Sequence, residues 1–190
     1  TGKAGSTLLL RGVAGVAAAR VLLVGMGADE VVSEKNFVTA VNATLKAFAS
    51  LGAADAIIAF PTTEVKERTP EWALQTIVVA ANEAEFRSDA QKSKKEPAYS
   101  GVRKIAVAVP LANTQAKASL AQAIAIANGM KLTKELGNLS PNVCTPTYLA
   151  NVARKLADDF GFEIEVLERK QLEALKLSLI HISEPTRRRG

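Results

Sequence analysis

The chain has 190 residues, of which 48% are hydrophobic and 23% charged, with a formal net charge of +5. That length holds one medium domain or a domain and a fraction, and the composition is that of a water-soluble globular protein. No uncharged apolar run approaches the ~18 residues of a membrane-spanning helix, and the single cysteine, Cys144, excludes an internal disulfide framework.

The start, Thr1-Gly2-Lys3-Ala4-Gly5, has no initiator methionine and no signal-peptide pattern, and enters a strand by Thr7. The expectation is a chain truncated at its front, from a cytoplasmic protein. Thr7 to Leu10 and Val21 to Val24 read as two strands joined by a loop containing Gly12 and Gly15. Ser33 is a helix cap. Phe37, Val41, Leu45, Phe48 and Leu51 then recur at helical spacing until Gly52.

Ala56 to Phe60 is the next apolar strand, closed by Pro61. Thr69-Pro70-Glu71 opens a helix: threonine accepts an orphan backbone N–H, proline fits the first turn, and glutamate meets the positive end of the dipole. Leu74, Ile77, Val78 and Ala81 form its apolar stripe. Arg87 to Gly101 lacks periodicity and reads as a loop, and Ile105 to Val109 is a strand. An alanine-rich helix follows from about Gln115 to Leu136, with Leu120, Ala123, Ile124 and Ala127 on one side.

Thr145-Pro146 repeats the helix-start chemistry, and Leu149, Val152, Ala153, Leu156 and Phe160 continue it until Gly161. Phe162-Glu163-Ile164-Glu165-Val166 alternates as a half-buried strand does, and Lys170 to Lys176 begins another helix. The alternation of strands and helices predicts an α/β layer architecture on a largely parallel or mixed sheet.

The run from Leu177 through His181 to Arg187 resembles the translated reading frame of a transposase-type sequencing adapter, so Leu177 to Gly190 is set aside as a foreign tail. Arg187, Arg188 and Arg189 against Glu184 account for a net two of the five positive charges, and the tail holds the only histidine.

The candidates for chemistry are few. Gly25-Met26-Gly27 has the look of a phosphate-cradling loop, but Glu30 stands where a third glycine would be, and Asp29 and Glu30 repel anions. A tight strand-to-helix turn is the better reading. Cys144 needs a base to become a thiolate and, without His181, has none, so it reads as a packed small residue. Asp158 and Asp159 diverge by about 100° on a helix and cannot share a metal. Glu163 and Glu165 lie on one side of a strand without a third ligand. Lys92, Lys94 and Lys95 could touch phosphates, yet no aromatic residue interleaves with them, and they read as a solvated loop. No catalytic, cofactor-binding or metal-ligating residue is assigned.

Gly137-Asn138-Leu139-Ser140-Pro141-Asn142 through Thr145-Pro146 to Leu149 resembles the entry into the catalytic domain of the leucyl aminopeptidase family. Gly5 to Leu10 and Arg20 to Gly27 are similar to that family's N-terminal domain; Ser140 stands where many members carry a second proline. The resemblance implies a truncated macrodomain-like domain over residues 1–112, with helices flanking a mixed sheet. A connecting helix over 113–136 and the opening helix-strand-helix of the peptidase domain over 137–176 would follow. It also implies a cytoplasmic, homohexameric metallo-aminopeptidase whose two divalent cations, manganese or zinc, activate water against peptide substrates. None of that family's ligand motifs matches a position here, so the expectation is an inactive fragment. The alternative is a non-enzymatic α/β module binding DNA or a nucleotide. No membrane partner is expected.

Overall fold

The computed structural model describes residues 2–59, 64–89, 91–95, 101–108 and 114–177. The chain divides into two compact units, Thr1–Asn138 and Leu139–Gly190.

In the first unit, β1 (Thr7–Arg11) and β2 (Arg20–Val24) form an antiparallel hairpin in the register Thr7↔Val24 to Arg11↔Arg20. Side chains alternate across the pleat. Leu22 therefore packs against the core, while Leu8 and Leu23, paired across the strands, stand 57% and 50% exposed on the other face.

Helix α1 (Glu34–Phe48) starts where Ser33, in extended conformation, accepts a hydrogen bond from the Asn36 N–H. Its inward face is Phe37, Val41, Leu45 and Phe48, all buried, and Thr44 is accommodated there because its hydroxyl donates to the Ala40 carbonyl at 2.8 Å. The helix ends at Phe48, one turn before Gly52, which takes φ +60° in the following loop. Leu51 thus extends the apolar pattern without extending the helix, packing on the core from the turn.

Strand β3 (Asp55–Ile58) pairs in parallel with β4 (Lys104–Val107), Ile58 opposite Val107. Between them runs α2 (Pro70–Glu85), capped by Thr69, whose hydroxyl accepts from Trp72 N–H at 3.3 Å. Thr69→Ala is expected to destabilise the chain by about 1 kcal/mol. Urea denaturation measures it, and an unchanged midpoint would show that the cap is replaced by solvent.

Phe37 and Trp72 meet at a ring separation of 5.8 Å, joining α1 to α2. Arg68 lies 5.2 Å over the Trp72 ring and donates to Glu34 Oε2 at 2.6 and 2.9 Å. Both charged groups are about half exposed, which limits the pair to a fraction of a kcal/mol. Helix α3 (Thr114–Gly137) packs along α2, where Lys134 forms an ion pair with Glu83 and sits 5.3 Å over the Phe86 ring.

The second unit contains α4 (Pro146–Phe160) and α5 (Arg169–Ala174). Thr145 caps α4 by accepting from Tyr148 N–H, and Gly161, at φ +71°, closes it with an N–H donated to Ala157. Helix α5 has a capping box in which the Gln171 side chain accepts from the Glu168 N–H at 2.7 Å.

Two expectations change. The described strands form two separate two-stranded sheets, one antiparallel and one parallel, and not one continuous sheet. Residues Phe162 to Val166 are not a strand; Phe162 is 50% and Ile164 39% exposed. Alternation selects which side of a segment is apolar, but a strand also needs a neighbour for its N–H and C=O groups. No strand is described elsewhere in that unit.

Candidate functional site

The Gly25-Met26-Gly27 turn leaves β2 and was the one sequence feature with the form of an anion cradle. The Gly25 and Gly27 amides are already engaged. Gly25 N–H donates to Ser6 O at 2.8 Å, Gly27 N–H donates to Gly2 O at 2.9 Å, and Gly25 O accepts from Gly5 N–H at 2.9 Å. The glycines exist for close backbone crossing: a Cβ at position 25 would lie 2.3 Å from Lys3 O and 2.4 Å from Ser6 Oγ. Gly27 takes φ +106°, and a Cβ there would lie 2.7 Å from Asn36 Nδ2. The segment holds down the chain before β1, and residues 25–33 separate β2 from α1, so the connection is a longer loop and not the tight strand-to-helix turn expected.

Cys144 is half-buried in the turn that precedes α4, its N–H donating to Ser140 O at 2.9 Å. The described residues include no histidine to act as its base, because His181 lies outside them. Asp158 and Asp159 are exposed in the last turn of α4, and Glu163 and Glu165 are exposed beyond it. Among the described residues no three histidine, cysteine or carboxylate side chains come together to hold a metal ion. Lys92, Lys94 and Lys95 are exposed, and Lys92 pairs with Asp89 at 3.5 Å. The proposed foreign tail lies outside the described residues beyond Leu177. Among the described residues no helix is long and apolar enough to cross a membrane.

The structure adds a cleft that the sequence reading did not assemble. Leu74, Ile77 and Val78 of α2, Ile105 and Val107 of β4, and Leu120 of α3 line a space of about 450 Å³. Each contributor was visible as an apolar stripe or strand; their convergence depends on how α2 and α3 pack. Among the described residues, Lys117 is the one charged residue of the lining. Such a wall excludes water and packs apolar groups.

Residues 1–95 match the family model described as the N-terminal domain of the cytosol aminopeptidase family. A probable cytosol aminopeptidase of Herminiimonas arsenicoxydans is 57% identical over 155 residues, covering 81% of this chain and 31% of that protein. One from Ralstonia pickettii is 45% identical over 181 residues, covering 93% of this chain and 36% of its own length. The chain thus spans about a third of the length of these relatives.

Two solved structures share the fold. The bottromycin maturation enzyme BotP in complex with Mn superposes with a TM-score of 0.68 at 21% identity, covering 92% of this chain and 35% of that one. A tomato leucine aminopeptidase mutant does so with a TM-score of 0.69 at 21% identity, covering 92% and 34%.

Proposed function

The chain belongs to the cytosol aminopeptidase family, and from that premise we propose that it is the leading part of a leucyl aminopeptidase that, when complete, removes N-terminal residues from peptides. The observation that carries this reading is the family match over residues 1–95, together with relatives that align along most of the chain while it spans about a third of their length. In the complete protein two divalent cations, manganese or zinc, would supply the Lewis acid and the activated water. The residues described here do not fit that pair, since no three suitable donors converge. On this reading the ligands belong to the part of the relatives that this chain does not span.

On this reading, residues 1–112 form the macrodomain-like domain and 113–136 its connecting helix. Residues 137–176 open the peptidase domain, and 177–190 are the foreign tail. The complete enzyme would be a cytoplasmic homohexamer. The alternative, a nucleotide- or DNA-binding module, draws no support from the glycine turn, whose Gly25 and Gly27 amides are consumed within the fold.

The chain alone is expected to hydrolyse no leucyl amide or leucyl peptide with added manganese or zinc, while its full-length form does so. A chromogenic leucyl-anilide assay on both proteins tests this. Metal-dependent turnover by the short chain, lost on substituting residues within Thr1 to Lys176, would overturn the fragment reading.

A further inference from the structure

We draw no further inference here: the strongest candidate, the apolar cleft between α2, β4 and α3, is an unpartnered apolar surface, and nothing in the structure shows what covers it.

Discussion

Phe37→Ala is expected to destabilise the chain by about 3–5 kcal/mol, the cost of removing a large aromatic side chain from a closed core. Phe37 is 0% exposed, sits on the inner face of α1 and meets Trp72 of α2. The substitution thus opens a cavity where two helices join and also removes an aromatic contact. Domains of this size have only about 5–15 kcal/mol of net stability, so the variant should lose a large part of its folded margin. Urea unfolding followed by far-ultraviolet circular dichroism measures the change. A loss below about 1 kcal/mol would mean that α1 does not pack on α2 as described.

The second large effect is expected at Gly25. An alanine methyl there would stand 2.3 Å from Lys3 O, 2.4 Å from Ser6 Oγ and 2.9 Å from Gly2 C, and two of these three atoms are backbone. Neither segment can yield without breaking the Gly5–Gly25 and Gly25–Ser6 hydrogen bonds. Gly25→Ala should therefore cost about 2–3 kcal/mol, as overpacking does in a close-fitting site. Gly129→Ala is the matched control: its added methyl meets nothing within 4 Å in the middle of α3, and alanine is the better helix former there. That variant should be neutral or more stable by up to about 1 kcal/mol. Equal midpoints for the two variants would contradict the close crossing at Gly25.

What could be read from the residues was whatever is decided within a few positions. Ser33, Thr69 and Thr145 each cap the helix predicted for them, because the backbone N–H three residues on donates to the cap hydroxyl. Gly161 ends α4 for an equally local reason, its positive φ. Strand partners were not legible, since the pairing of Ile58 with Val107 joins positions far apart in the chain and is not written in either strand's composition.

The same limit explains the segment 162–166, whose alternation was clear but whose partner is no described residue. For the candidate site, Asp29 and Glu30 weigh against an anion at the glycine loop from the sequence alone, whereas the close backbone crossing at Gly25 is visible only in the fold. The cleft escaped them because three apolar surfaces, each ordinary in isolation, meet only in the folded unit.

The two sheets also differ in how far the chain must travel to close them. Arg11 reaches Arg20 across one short loop, whereas Asp55 meets Lys104 only after α2 and its flanking segments have been made. A hairpin of the first kind closes in roughly 1–10 μs, while pairing of the second kind must await a long loop closure. During synthesis, β3 therefore leaves the ribosome without its partner and remains an unpaired edge until Val107 has emerged. In refolding, shortening Ile58 should accelerate unfolding with little change in folding rate, whereas shortening Leu22 should slow folding. Chevron analysis of Ile58→Val and Leu22→Ala would reverse that order of events if Ile58 proved the more structured of the two in the transition state.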